Sequence, residues 1–195
     1  MPRKPRELVD GGIYHVFNRG NDRMDLFLEE NDYEYFLNQL LVEQRRTNSE
    51  VYHYCLMTNH YHLLLRITKA EILSKLMHGL QLAYTRYFKK KYRFLGHLFQ
   101  QRFRSPRIPE NSYYLQCGRY IERNPVKAGI LKDPWNYPYS SASFYASGKH
   151  DELITPNLYY ESMGDTSEIR QRNYREFLSI DEPYGDMIDA QFAKV

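Results

Sequence analysis

The chain runs to 195 residues, 42 % hydrophobic and 26 % charged, with a net charge of +3 and a pI near 8.7. That length supports one self-sufficient core with room for an appendage, and no apolar run approaches the ~20 residues of a membrane helix, which excludes a transmembrane class. Two cysteines, Cys55 and Cys117, lack CxxC spacing, exclude a disulfide framework and fit a reducing, cytoplasmic setting.

Charge and aromatic content are unevenly spread. Basic residues cluster at 3–6, 89–93 and 102–107, and acidic ones at 29–34 and in the last third. There are 19 tyrosines, and aromatics reach 15 %. Cations for phosphates and flat rings for bases suit a single-stranded nucleic acid. Half-buried tyrosines under a solvated surface give the same composition.

Taken in order, residues 1–10 read as a basic arm. Pro2 and Pro5 disfavour helix there, and no apolar stretch follows that would make it a secretory signal. Residues 13–18 read as a strand. Asn31 or Asp32 is placed to cap a helix running to about 46, with Tyr35, Phe36, Leu37, Leu40 and Leu41 on its apolar side. Residues 51–57 and 60–67 form a hairpin around Thr58-Asn59. Residues 69–92 are the clearest helix and end in a basic aromatic knob. A fourth strand is expected around 96–104. Another helix starts at Glu110 or Asn111, and Pro125 should stop it just after Asn124. Residues 141–146 and 174–178 suggest short helices, and 180–195 a draped tail. There are no internal repeats.

Strand, helix, strand, strand, helix, strand, helix is the split βαβ order. It predicts an α+β, ferredoxin-like antiparallel sheet with two helices on one face. On the third strand Tyr61, Leu63, Leu65 and Ile67 share the apolar face. His60, His62, Leu64 and Arg66 share the other, which the helix of Tyr120 could cover. The expected organisation is a basic arm at 1–10, one domain at 11–148 and an extension at 149–195.

The pattern His60-Tyr61-His62 on a strand puts two imidazoles within reach of one divalent ion. Tyr120 and Asn124, four apart on a helix, share a stripe. Asn124 could add an oxygen ligand, or simply cap the helix ahead of Pro125. A metal held without a carboxylate keeps its charge for polarising a phosphodiester. Tyr120 could then attack. A bare HxH also arises by chance, and the other histidines weighed, His15, His53, His78 and His97, read as structural.

Five stretches in order carry a family resemblance. They are Tyr14-His15-Val16-Phe17-Asn18-Arg19-Gly20, the run 54–65 around Asn59-His60-Tyr61-His62, the run 96–103 around Gln100-Gln101-Arg102, the run 120–129 opening on Tyr120-Ile121-Glu122-Arg123-Asn124-Pro125, and Trp135-Asn136-Tyr137-Pro138-Tyr139. The sequence resembles the single-tyrosine HUH transposases, most closely the REP-associated tyrosine transposases of bacteria. The resemblance implies His60 and His62 as metal ligands, with Asn124 completing the site for Mg²⁺ or Mn²⁺. It implies Tyr120 as a nucleophile that joins the DNA 5′-phosphate and releases a 3′-OH. The implied substrate is single-stranded DNA near hairpin-forming palindromic repeats. Tyr61 departs from an aliphatic residue between the two histidines.

Candidate DNA contacts are Arg3, Lys4 and Arg6 in the arm, Asn18 and Arg19 at the end of the first strand, Lys89, Lys90, Lys91 and Arg93 in the knob, and Arg102 and Arg104. A solvated helix end explains the lysine run equally well. Two other functions share these features: a non-catalytic DNA- or RNA-binding module, and a zinc-dependent hydrolase using the HxH pair. Monomer and homodimer, and a site made within one chain or by exchange, stay open.

Overall fold

The computed structural model describes residues 6–108, 112–156 and 158–180. Arg3, Lys4, the expected helix start at Glu110 or Asn111, and the segment 181–195 lie outside them. Strands β1 (Ile13–Arg19), β2 (Glu50–Met57), β3 (His60–Arg66) and β4 (Arg107–Ile108) form one antiparallel sheet in the order β2-β3-β1-β4. Helices α1 (Glu30–Thr47) and α2 (Ala70–Tyr92) cover one face. Helix α3 (Ser112–Glu122) lies on the other. This is the α+β architecture expected from the element order.

Alternation on β3 divides the interior into two layers. Tyr61, Leu63 and Leu65 pack with Phe36 and Leu40 of α1 and with Leu73, Leu76, Leu80 and Tyr84 of α2. Leu64 joins Cys55, Cys117, Tyr120 and Ile121 beneath α3. The β2–β3 register shifts between Val51 and His53. The extra residue brings both Tyr52 and His53 to the α3 side.

The last helix is longer than the expected 174–178, spanning Ser167–Ser179, and three further boundaries differ from the sequence expectation for local reasons. α1 begins earlier, with Glu29 as its N-cap and Asp32 closing the capping box. Asp32 accepts from the backbone amides of Leu28 and Glu29, so it closes the first turn instead of starting it. The fourth strand is not at 96–104; it is only Arg107–Ile108. Residues 98–104 do run beside β1, but they bridge it only at Gly20–Phe99 and Phe17–Arg104. Three steps along β1 there face five along the outer segment, so the outer chain bows away and breaks the ladder. The gap is filled by Asn18, whose Nδ2 donates to the Gln101 carbonyl at 2.9 Å.

The third difference concerns Pro125. It does not end the helical path. After a single kink at Arg123 the chain re-enters helix as α4 (Asn124–Lys127), with Pro125 in its first turn. A proline there loses no hydrogen bond, because first-turn amides have no intrahelical acceptor. The Arg123 amide donates to the Arg119 carbonyl and the Lys127 amide to Arg123, so the two helices keep one register.

The remaining helices are α5 (Ala142–Ser147), α6 (Leu158–Glu161) and α7 (Ser167–Ser179). They pack behind α3 and fix it. Glu122 is fully buried and holds His53 of β2 at 2.8 Å, the Ser141 hydroxyl at 2.6 Å and the Tyr174 hydroxyl of α7 at 2.7 Å. The guanidinium groups of Arg119 and Arg123 donate to the carbonyls of Phe177 and Leu178. Among the described residues, no helix is long and apolar enough to cross a membrane.

Candidate active site

Side chains on the α3 face of the sheet meet those of α3 and α4 in an open cleft of about 370 Å³. Its lining includes His60, His62, Tyr120 and Asn124 together. All four come from one chain. In the β1–β3 ladder Phe17 stands opposite His62 and Arg19 opposite His60, so these four side chains share a face. His62 is fully buried; its ring lies 5.2 Å from that of His60 and 5.7 Å, edge-on, from that of Tyr120.

Hydrogen bonds occupy one ring nitrogen of each cleft histidine. His62 Nδ1 and His15 Nε2 are 2.8 Å apart in a buried pair. His60 Nδ1 lies 2.7 Å from Asn59 Oδ1, which can only accept, so Nδ1 carries the proton. In both histidines these contacts are made through Nδ1 and do not involve Nε2. Asn124 donates through Nδ2 to the carbonyls of Tyr120 and Ile121, at 3.0 and 3.2 Å, which leaves Oδ1 outward. His60, His62 and Asn124 thus line one cleft. Among the described residues no group of three or more His, Cys, Asp or Glu side chains could hold a metal ion; an ion bound by His60 and His62 would have to take a third protein donor of another kind, such as the Asn124 amide oxygen. This donor set is mixed: imidazole suits Zn, Cu, Fe and Ni, carbonyl oxygen suits Mg²⁺ and Mn²⁺, and any remaining positions suit water and phosphate oxygens.

Burial keeps the pair at the floor of the cleft neutral. It lowers the His15 pKa to about 3. It also pushes His62 well down, helped by His15, His60 and Lys127. Unfolded histidine titrates near ~6.5. Above that pH neither state is protonated and stability is unaffected. Below it the unfolded chain takes up protons that the folded chain refuses, so stability falls as pH drops towards 3. Each histidine should steepen the loss by up to about 1.4 kcal/mol per pH unit. Thermal melts in chelator from pH 7 to 4 should show this, with a shallower acid limb in His15→Phe.

A family model described as "Transposase IS200 like" matches residues 9–124, which span every element that builds the cleft except α4 beyond Asn124. The chain belongs to the IS200-like transposase family. No curated protein matches it. Among solved structures, this transposase shares its fold with a REP-associated tyrosine transposase solved bound to a REP hairpin. The two are 20 % identical with a TM-score of 0.65, over 81 % of this chain and 93 % of that one. A protein from Deinococcus radiodurans assigned as a transposase aligns over 63 % of this chain and 97 % of its own, at 20 % identity and a TM-score of 0.43, too low to bear on the argument.

The transposase distributes the basic residues singled out in its sequence quite differently from one another. Arg19 lines the cleft and its Nε donates to Gln100. Asn18 is buried, its amide engaged by Gln101 and by the Arg19 amide. Arg6 stacks its guanidinium 3.7 Å over the Phe103 ring and donates to that residue's carbonyl. Lys89, Lys90 and Arg93 are exposed at the end of α2, away from the cleft lining. Lys91 turns inward, with its ammonium 2.6 Å from buried Asp32 and 3.4 Å from Glu29. Arg102 and Arg104 flank a small hollow beside Asn18 and Arg19.

Four side chains of the cleft were not anticipated. His15 had looked structural, and only the β1–β3 pairing brings it to His62. Asn59 had looked like a turn residue, yet it orients His60. Arg23 reaches the lining from a turn where it and Asp22 both adopt positive φ. Lys127 arrives because the helical path continues past Pro125. Its signal was a spacing of seven from Tyr120, two turns on the same stripe.

Proposed function

We propose that this chain cleaves and rejoins single-stranded DNA through a 5′-phosphotyrosine formed at Tyr120. The observation that carries the reading is the convergence of Tyr120, His60, His62 and Asn124 on one cleft within one chain. Its substrate would be hairpin-forming palindromic DNA, a choice supported by the REP hairpin bound to the similar transposase. His60 and His62, through Nε2, and Asn124, through Oδ1, would hold Mg²⁺ or Mn²⁺. When bound, that ion supplies Lewis-acid polarisation of the scissile phosphate. Tyr120 forms the bond to phosphorus, and the 3′ oxygen departs. Arg19 and Arg23, on the cleft rim, hold flanking phosphates. The site then uses the chain's own tyrosine. Residues 11–148 are the transposase domain, and the extension from 149 buttresses the tyrosine helix.

The test is incubation with labelled single-stranded hairpin DNA and Mg²⁺ or Mn²⁺, followed by denaturing electrophoresis. A labelled adduct should survive denaturation and map to the peptide containing Tyr120. DNA binding without any adduct would leave a binding module. Turnover that survives Tyr120→Phe would point to a hydrolase.

The hydrogen bond to His15 should tune the ion's affinity, since partners of ligating histidines typically contribute 10–100-fold. His15→Phe keeps a flat ring and removes the acceptor. It should weaken Mn²⁺ binding by about 10-fold or more in calorimetric titration.

A further inference from the structure

Lys127 is a cation that the reading above leaves without a task. Its Nζ sits 4.9 Å from the centroid of the Tyr120 ring. It lines the same cleft as Tyr120, His60, His62 and Asn124. Continuous helical hydrogen bonding through Arg123 holds it there, two turns beyond Tyr120. No carboxylate lines the cleft among the described residues.

We propose that Lys127 is a second catalytic group of this site, whose ammonium neutralises the phenolate of Tyr120 as the bond to phosphorus is made and broken. The inference rests on Tyr120 being the nucleophile. An ammonium over a neutral ring is held weakly by the ring's quadrupole. The same ammonium beside a phenolate meets a full negative charge. The attraction therefore grows as the phenol ionises, and only such differential binding accelerates a step. In cleavage, the Tyr120 oxygen bonds to phosphorus and the bond from phosphorus to the 3′ oxygen breaks. The phenolic proton passes to solvent, and the 3′ oxygen takes one proton from solvent. In strand transfer the sequence reverses: a 3′-OH attacks phosphorus and loses its proton to solvent, and the phenolate leaves beside Lys127. No electrons change hands in either direction. The division of labour is then plain, with protein donors and rim arginines serving the phosphate and Lys127 serving the tyrosine.

Lys127 is exposed, so its replacement should not disturb folding. The experiment compares wild type, Lys127→Met and Lys127→Arg. Single-turnover adduct formation is measured at saturating hairpin DNA with Mg²⁺, and DNA affinity by fluorescence anisotropy in chelator. Lys127→Met should slow adduct formation about 100-fold or more and leave the dissociation constant nearly unchanged, because DNA affinity is the sum of many phosphate contacts. Lys127→Arg should recover most of the rate, because it keeps the charge. A Lys127→Met rate close to wild type overturns the proposal, as does a loss confined to DNA affinity or an arginine variant as slow as the methionine one. If wild type forms an adduct at Tyr120 in each of those cases, the proposed function stands and only the role of Lys127 falls. Absence of any wild-type adduct overturns both.

Discussion

Tyr120→Phe is expected to abolish the covalent adduct, with a loss of at least about 10³-fold, in the range seen when a nucleophile is removed. The substitution is confined to one oxygen. The ring stays in place, edge-on to His15 and His62 and beneath Lys127. Tyr120 lines the open cleft, so loss of its hydroxyl leaves no enclosed cavity. Melting temperature and DNA affinity in chelator should therefore hold. Tyr120 is also the one tyrosine lining the cleft among the described residues, so the other tyrosines give no obvious substitute. Residual adduct above a thousandth of the wild-type yield would reveal a different nucleophile, and the tyrosine assignment would have to be withdrawn.

The largest effect on stability should come from Glu122, which touches no substrate. Its carboxylate is fully buried with His53, Ser141 and Tyr174 as partners. Glu122→Ala strands all three in an apolar layer. Breaking a buried, hydrogen-bonded pair of this kind costs about 3–5 kcal/mol. In a chain of this size that corresponds to a fall in melting temperature of about 10 °C. The solvent-exposed pair of Arg45 with Glu152 is the natural control, and Arg45→Ala should leave the melt unchanged within error. Similar melts for the two variants would mean that Glu122 is not the pin described above.

What the sequence disclosed, and what it hid, follows the range of the interactions. Alternation on β3 is local, and it alone turned His60 and His62 to the opposite face from Tyr61, Leu63 and Leu65. The stripe of Tyr120 and Asn124 is equally local. The fourth strand was misplaced because residues 96–104 have strand-like composition, whereas pairing depends on register with β1 some 80 residues earlier. The continuation past Pro125 was missed because the rule about the residue before proline is a tendency, and a helix that restarts with proline in its first turn escapes it. Lys127 was lost with it. His15, Asn59 and the inward turn of Lys91 towards Asp32 all need a partner that no local window contains. The family resemblance carried residue roles across that gap for Tyr120, His60, His62 and Asn124, and the cleft brings those four together. It said nothing of the side chains that orient them.

The bonds from Arg119 and Arg123 to the end of α7 have a consequence in time. Leu178 is made 55 residues after Arg123. At synthesis rates of about 5–20 residues per second, that is a lag of roughly 3–10 s. During that interval a nascent chain already holds both histidines and the tyrosine, yet the helix bearing the tyrosine lacks its final anchor. A ribosome-bound chain stalled before Leu178 should thus have its tyrosine helix loosely seated. The cleft is thus assembled in two stages, its side chains first and the brace behind them later.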